Sequence, residues 1–277
     1  MAKTGISLAA LLCVGASAAS ADDRAGVYAR VDALLLGANL GGGSFEQVFV
    51  GVPSGTNFGG ALGDELAGGV RFVLGAEDCS GLGVRFQYFD WENDVDYNGQ
   101  WEGASDFLFS GDMEIDVYAF DAEVTQRGSF HRWDLLVGGG LRAGGLSIFQ
   151  PGNLFDGPGT FYGVRSGGEF DGVGPTVSLA ADRRLGASGL SVVGRARASL
   201  LFGEQEQIET FGADLAADRF TIDDHVQVIE MQFGLNYRQS LGPADGTFGV
   251  FWEAQRWDTN TGDLGLHGLS LQTGLLY

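Results

Sequence analysis

Apolar and polar residues alternate with a period of two along most of this chain, in separate segments. A period of two places successive side chains on opposite faces of an extended strand, so each segment has one apolar and one polar face. The ten segments with this pattern are 26–37, 65–75, 81–91, 113–125, 130–146, 170–182, 190–202, 226–238, 248–257 and 266–277. The sequence therefore predicts an all-β protein.

The connections between these segments alternate in length. The short connections are 76–80, 126–129, 185–188 and 239–246. The long connections are 38–63, 92–112, 147–168, 203–224 and 258–265. An even number of strands, with short turns at one end and long loops at the other, is typical of bacterial outer-membrane barrels. We therefore predict a closed, antiparallel, up-and-down transmembrane β-barrel of ten strands, with both termini at the periplasmic, short-turn end.

Other arrangements remain open. Merged or split segments would give any number from about 8 to 12 strands, and 44–52 is the most ambiguous stretch. A secreted β-sandwich or lipocalin-like barrel would also alternate, but it explains neither the long strands nor the rhythm of the connections. Pro175 lies inside a predicted strand, where it removes a ladder hydrogen bond, so we expect a bulge or a shortened strand there.

The first residues have the composition of a targeting segment. Lys3 precedes the apolar run 6–14, and Ala19-Ser20-Ala21 offers a small-residue cleavage site before Asp22. We predict a cleaved signal peptide at 1–21 and a barrel domain at 22–277. The mature chain would retain one cysteine, Cys79, so an intrachain disulfide is excluded.

Composition excludes several classes of protein. The chain carries 36 acidic and 16 basic residues, a net charge of −20, whereas binding to nucleic-acid phosphates needs a basic surface. A hydrophobic fraction of 44% argues against a disordered chain. The 47 glycines follow no three-residue period, which argues against a collagen-like structure. We expect a lipid bilayer, and no nucleic acid, as the partner.

The polar face of the segments carries charges of both signs. An Arg facing lipid at the middle of a bilayer costs about 2–4 kcal/mol, so these residues are predicted to line the lumen. The predicted lumen-lining residues are Arg30, Asp32, Arg71, Arg85, Asp121, Glu123, Asp134, Arg142, Arg195, Arg197, Glu230 and Glu253. Aromatic residues on the apolar face gather near the predicted membrane edges, as in interfacial girdles. The predicted girdle residues are Tyr88, Tyr118, Trp133, Phe202, Tyr237, Phe248 and Tyr277.

Two stretches carry a resemblance to known proteins. The end of the chain, 269–277, alternates apolar residues and finishes on Tyr277, and this resembles the signature that outer-membrane barrels present to their assembly machinery. Phe170-Asp-Gly-Val-Gly-Pro175, followed by a Gly- and Leu-rich hairpin that ends at 199–203, is similar to the Legionella major outer membrane protein family. The resemblance implies a pore-forming outer-membrane protein. It implies no binding residues, and the family's cysteine cross-links cannot be assumed for Cys79.

Alternating acidic residues flank the second long connection. Asp94, Asp96 and Asn98 lie on one side and Asp112 and Glu114 on the other, and oxygen ligands of this kind suit Ca²⁺ or Mg²⁺. Such ions could bridge the extracellular loops to lipopolysaccharide; no other cofactor is expected. Asp94-Val-Asp-Tyr-Asn-Gly99 matches the start of a calcium-loop motif. The match is incomplete, because Ser105 stands where a bidentate Glu is required. The alternative is a solvated acidic loop.

These features give three functional hypotheses for a bacterial outer-membrane protein. The first is a porin-like passive pathway for small hydrophilic solutes or ions, mildly cation-selective because its loops are acidic. The second is a non-conducting structural or surface-interaction barrel, anchored to lipopolysaccharide through divalent cations. The third is a hydrolase, but Asp224 and His225 are the only candidate pair and neighbouring strand residues point to opposite faces. We therefore expect no enzymatic activity.

Overall fold

The fold was analysed in a computed structural model that describes residues 26–41, 66–100, 108–156, 160–186, 188–211, 218–259 and 262–277. The predicted signal peptide and the ambiguous stretch 44–52 lie outside the described residues. The strands are β1 (Gly26–Gly41), β2 (Ala67–Glu77), β3 (Leu82–Gln100), β4 (Leu108–Phe130), β5 (Trp133–Asp156), β6 (Thr160–Arg184), β7 (Leu190–Phe211), β8 (Asp218–Ser240), β9 (Asp245–Thr259) and β10 (Gly262–Leu276).

The ten strands form one closed barrel. Each strand pairs in antiparallel fashion with the next one in the chain, and β1 pairs with β10. At the seam, the Val27 amide donates to the Tyr277 carbonyl at 3.2 Å and the Tyr277 amide donates to the Val27 carbonyl at 2.9 Å. The predicted closed antiparallel barrel of ten strands is confirmed.

One end of the barrel, called here the turn end, holds the short connections and the first and last described residues, Gly26 and Tyr277. Asp78, between β2 and β3, accepts hydrogen bonds from the Ser80 hydroxyl at 2.6 Å and from the Ser80 and Leu82 amides at 2.8 and 3.0 Å. These bonds stabilise the carboxylate and lower the pKa of Asp78. Gly81 completes the turn at a φ of +82°, a backbone conformation that favours glycine.

The strands are longer than the alternating segments indicated. β6 has 25 residues, whereas about 9–11 residues cross the hydrocarbon of a bilayer. Most of the predicted long connections 92–112, 147–168 and 203–224 are therefore strand. These strand extensions lead to the end of the barrel opposite the turn end, called here the loop end. The prediction fell short because the polarity reverses in these extensions: among the described side chains, most outward ones are acidic and most inward ones apolar.

The prediction of a bulge or a shortened strand at Pro175 is wrong. β6 runs continuously through Pro175, which stays opposite Leu141 of β5. On the side of β6 that faces β7, Val173 pairs with Phe202 and Thr176 pairs with Ser199. The register is the same before and after Pro175, although no residues are paired between these two pairs. The missing amide hydrogen is thus accommodated by a local gap in the β6–β7 ladder.

Candidate functional site

The outer wall of the barrel carries an apolar belt. It consists of large outward side chains with 45–61% of their surface exposed, among them Leu74, Phe86, Phe120, Leu141, Val177, Phe233, Val250 and Leu271. A soluble monomer rarely exposes a contiguous apolar patch of more than a few hundred Å², and here such residues surround the molecule. The belt is therefore suited to contact with lipid chains. Among the described residues, no helix is long and apolar enough to cross a membrane.

Most of the predicted girdle residues lie on the outer face at the two borders of this belt. Toward the loop end, the Tyr88 hydroxyl donates to Asp90 at 2.5 Å, and the Tyr118 hydroxyl donates to Asp171. Phe202 is exposed on the same side, and Tyr237, Phe248 and Tyr277 are exposed toward the turn end. Trp133 is only partly exposed, and its ring centroid lies 5.6 Å from the guanidinium carbon of Arg183.

An acidic collar follows the belt toward the loop end. It consists of outward carboxylates on β3, β4, β6, β7 and β8: Asp90, Glu92, Asp94, Glu114, Asp116, Glu169, Asp171, Glu204, Glu206 and Asp223. Several of them face each other across neighbouring strands, as do Glu92 and Asp116, or Asp171 and Glu204. Like charges directly opposite one another are unfavourable unless water or cations screen them. The collar thus gives the wall above the belt a strongly negative face.

Part of the predicted divalent-cation site belongs to this collar. Asp94 is opposite Glu114, and Asp96 is opposite Asp112 in the β3–β4 register. The side chains of Asp96, Asn98 and Asp112 lie outside the described residues. Within the described part of the chain, no three His, Cys, Asp or Glu side chains form a group that could hold a metal ion. The Ca²⁺ or Mg²⁺ site stays a prediction.

Inside the barrel, eleven of the twelve residues predicted to line the lumen form an ionic layer. Its members are Arg30, Asp32, Arg71, Arg85, Asp121, Glu123, Arg142, Arg195, Arg197, Glu230 and Glu253. The twelfth, Asp134, lies nearer the turn end, where it lines a vestibule of about 510 Å³ together with Glu77, Arg127 and Asp182. The inward strand phase therefore brings these charges together across many strands.

One half of the ionic layer is centred on Arg71. Its Nη1 donates to Glu253 at 2.9 Å and to Asp32 at 3.4 Å, and its Nη2 also donates to Glu253. Arg71, Asp32 and Glu253 are almost completely buried. The amides of Gln232 and Gln255 each donate to Glu253 at 2.8 Å. A buried carboxylate with this many donors is well compensated for its lost hydration.

The other half is centred on Arg142 and Arg197. Arg142 donates to both oxygens of Asp121, at 2.8 and 3.0 Å, and its Nη2 lies 2.5 Å from Glu230. The Nη1 of Arg197 lies 3.2 Å from both Asp121 and Glu230, and its Nη2 lies 3.3 Å from Glu123. Each of these carboxylates is thus shared between neighbouring guanidinium groups, which joins the pairs into a network.

The ion pairs join strands that are not neighbours. Arg71 on β2 reaches Glu253 on β9, Arg142 on β5 reaches Glu230 on β8, and Arg197 on β7 reaches Glu123 on β4. In each case the partner lies three strands away around the barrel. The layer therefore crosses the interior and does not simply coat its wall.

An apolar plug fills the interior between the ionic layer and the loop end. Its largest members are Phe89, Trp91, Ile115, Leu201 and Trp257, each with no more than 1% of its surface exposed. They belong to one continuous cluster of buried side chains from most of the strands. The polar lining predicted from the sequence is thus confined to part of the interior, because the inward face changes from charged to mainly apolar where the outward face changes from apolar to acidic. In the part of the chain that the structure describes, the ionic layer and the apolar plug together fill much of the interior.

No known family model matches this sequence, and no curated protein does. Its structure is similar to that of the outer membrane protease OmpT from Escherichia coli, with 10% sequence identity and a TM-score of 0.54 over 91% of this chain and 96% of that one. The chain has the fold of an outer-membrane β-barrel. A major outer membrane protein from Thermus thermophilus is 12% identical, with a TM-score of 0.41 over 92% and 100% of the two chains. The Pseudomonas putida toluene transporter TodX is 9% identical, with a TM-score of 0.33 over 87% and 67%.

The histidines of this barrel are placed away from its interior. His131 lies in a turn, and His225 and His267 are exposed on the outer face. The Nδ1 of His225 is 3.9 Å from the Asp224 carboxylate, too far for an orienting hydrogen bond, because Asp224 points inward and His225 outward. The two side chains thus point to opposite faces of the strand, as the alternation predicts. This pair lacks the convergence that a catalytic set needs.

Two groups of interior residues were absent from the predicted site. The first is four glutamines, Gln87, Gln232, Gln255 and Gln272, which donate to the carboxylates of the ionic layer. They occupy the same inward-facing positions of the alternating pattern as the predicted charged residues. This alternation is the sequence signal from which they could have been predicted. The second is the apolar plug, whose residues look in the sequence like ordinary strand or loop residues next to acidic runs.

Proposed function

We propose that this protein is a closed, non-conducting barrel of the bacterial outer membrane with a structural or surface-interaction role. The observation that carries the proposal is the stacking of the ionic layer on the apolar plug, whose largest side chains have no more than 1% of their surface exposed. Hydrated ions need polar groups or water along the whole of their path. The apolar belt and its aromatic borders support placement in a bilayer, with the turn end and the termini on the periplasmic side.

Membership of the Legionella major outer membrane protein family stays a prediction. The structural likeness extends to outer-membrane barrels as a class, and the identities of about one residue in ten carry no finer assignment. Recognition of the C-terminal segment by the assembly machinery is likewise part of the proposal. It is supported by the position of Tyr277 at the β1–β10 seam, where the barrel must close.

A porin-like pathway is the second candidate. The vestibule at the turn end supports it, because an aqueous entrance reaches the inner layers from that side. Conduction would require both layers to rearrange. Mild cation selectivity is a further prediction, but the carboxylates of the acidic collar point outward, and the ionic layer contains more Arg than acidic residues. Hydrolysis has the least support, since the described histidines are exposed on the outer face or in a turn.

Single-channel recording separates the first two candidates. Folded protein would be inserted into planar bilayers, and its insertion checked by the resistance of the barrel to unfolding in SDS. We expect no steady conductance from correctly inserted protein. Steady channels would refute the closed barrel and support the porin-like pathway, and their reversal potential in a salt gradient would then test the cation preference.

Anchoring to lipopolysaccharide rests on the acidic collar. Divalent cations prefer oxygen ligands and can bridge carboxylates to lipid phosphates. The stability of the barrel would be compared in lipopolysaccharide-containing vesicles with Mg²⁺ or with a chelator, for the wild type and for a variant with Glu92→Gln, Asp116→Asn and Asp171→Asn. We expect Mg²⁺ to stabilise the wild type and to have a smaller effect on the variant. Equal effects on both proteins would contradict a bridging role for the collar.

A further inference from the structure

The charges of the ionic layer do not balance. Its members include six Arg residues (Arg30, Arg71, Arg85, Arg142, Arg195 and Arg197) but five acidic ones (Asp32, Asp121, Glu123, Glu230 and Glu253). Every one of the five carboxylates forms an ion pair with at least one Arg of the layer. Among the described residues, Arg195 is the member without such a pair. The surplus positive charge is therefore located at Arg195.

Arg195 is held by neutral groups. Its Nη1 donates to Gln232 at 2.9 Å and to Gln272 at 2.8 Å, and its guanidinium carbon lies 4.6 Å from the centroid of the Phe251 ring. Its Nε and Nη2 have no acceptor among the described residues. A guanidinium group does not give up its proton in a protein, so the charge cannot be removed by titration. An uncompensated charge inside a protein is costly, and a counter-ion would relieve that cost.

A small cavity borders Arg195. Its volume is about 40 Å³, and its wall includes Arg30, Arg71, Arg85 and Arg197. Glu230, the one carboxylate in the wall, is already engaged by Arg142 and Arg197. The Nε groups of Arg71 and Arg197 are buried donors with no acceptor. A cavity needs roughly 10–15 Å³ to hold one water, so this one has room for a small anion together with water.

We propose that this cavity binds one halide-sized inorganic anion, such as chloride, which neutralises Arg195. The cavity lies next to the vestibule along β1 and β6. Tyr28 and Asp182 line the vestibule. Arg30 and Ala180, each two residues further into the barrel on the same strands, line the cavity. The turn end is therefore the nearer entrance for an anion. The site is independent of the proposed function, because a barrel without the anion would still be closed.

Bromide is a suitable probe, because its anomalous scattering distinguishes it from water. Crystals of the folded protein grown in sodium bromide would be compared for the wild type, Arg195→Gln and Arg132→Gln. Glutamine at 195 removes the charge and keeps a polar side chain, and Arg132 is an exposed turn residue that serves as the matched control. We expect an anomalous peak in the cavity of the wild type and of Arg132→Gln, and none in Arg195→Gln.

A solution measurement accompanies the crystals. The temperature at which the barrel unfolds in detergent would be measured in sodium bromide and in sodium gluconate at equal ionic strength. We expect bromide to raise it for the wild type and the control but not for Arg195→Gln, since a ligand stabilises only the form that binds it. A wild-type cavity without an anomalous peak, or a peak that persists in Arg195→Gln, would overturn the proposal. The wild-type crystal decides the question alone if Arg195→Gln does not fold.

Discussion

Substitution of Glu253 tests whether the ionic layer holds the barrel together. Glu253 is fully buried and accepts hydrogen bonds from Arg71, Gln232 and Gln255. Glu253→Gln keeps the shape of the side chain and removes its charge. Arg71 would then retain only Asp32, at 3.4 Å, as a charged partner. Breaking a buried ion pair by removing one partner costs about 3–5 kcal/mol, because the remaining charge is left uncompensated.

This magnitude is large enough to measure. Since each 1.4 kcal/mol is about tenfold, we expect the folding equilibrium constant of Glu253→Gln to fall by roughly a hundredfold to several thousandfold. The measurement is reversible urea unfolding in phospholipid vesicles, followed by tryptophan fluorescence. Glu92→Gln makes the same chemical change on the exposed acidic collar and should cost less than about 0.5 kcal/mol.

A second variant separates the ion pair from the loss of packing. Arg71→Met combined with Glu253→Gln removes both charges, and Asp32 would keep Arg30 at 2.8 Å. We expect this double variant to be more stable than Glu253→Gln alone. Its cost should be smaller than the sum of the costs of the two single substitutions by about 0.5–3 kcal/mol. If Glu253→Gln costs no more than Glu92→Gln, the ionic layer does not stabilise the barrel and the argument is refuted.

Two further predictions concern the outer wall and the turn end. Leu271→Arg introduces a charge on the apolar belt and should destabilise the barrel in vesicles by about 2–4 kcal/mol, whereas Glu92→Arg should have little effect; equal costs would argue against lipid contact. Because the Ser80 hydroxyl lowers the pKa of Asp78, the contribution of this turn is present above the ordinary value of 3.8 and lost as the pH falls through the lowered pKa. An NMR titration of the Asp78 carboxyl carbon should show that pKa returning toward 3.8 in Ser80→Ala, and an unchanged pKa would contradict the role of Ser80.

The strand number could be predicted because each segment near the belt has the polarity that a bilayer requires. Phe86 and Tyr88 face outward while Arg85 and Gln87 face inward, and this pattern has no other simple explanation in a strand of that length. The strand lengths could not be predicted in the same way. Beyond Tyr88 the outward residues are Asp90 and Glu92, so the same period of two continues with its polarity reversed and resembles an acidic loop.

The charged residues of the ionic layer follow from the inward strand phase, but their contacts do not. Charges that lie directly opposite one another on neighbouring strands, such as Asp121 and Arg142, follow from the register once the strands are aligned. The pair of Arg71 with Glu253 does not, because the two residues are 182 positions apart and meet only inside the closed barrel. No local pattern encodes such a contact.

These contacts between non-neighbouring strands are what decide whether the lumen is open. In a barrel of ten strands the opposite wall is five strands away, and the ion pairs of the ionic layer already reach three strands around it. Long Arg side chains from one wall therefore meet carboxylates that project from another, and little of the cross-section remains for water. An inward face of short polar residues would have left a channel at the same strand number. The inward arginines that were predicted to line the lumen thus fill much of its cross-section.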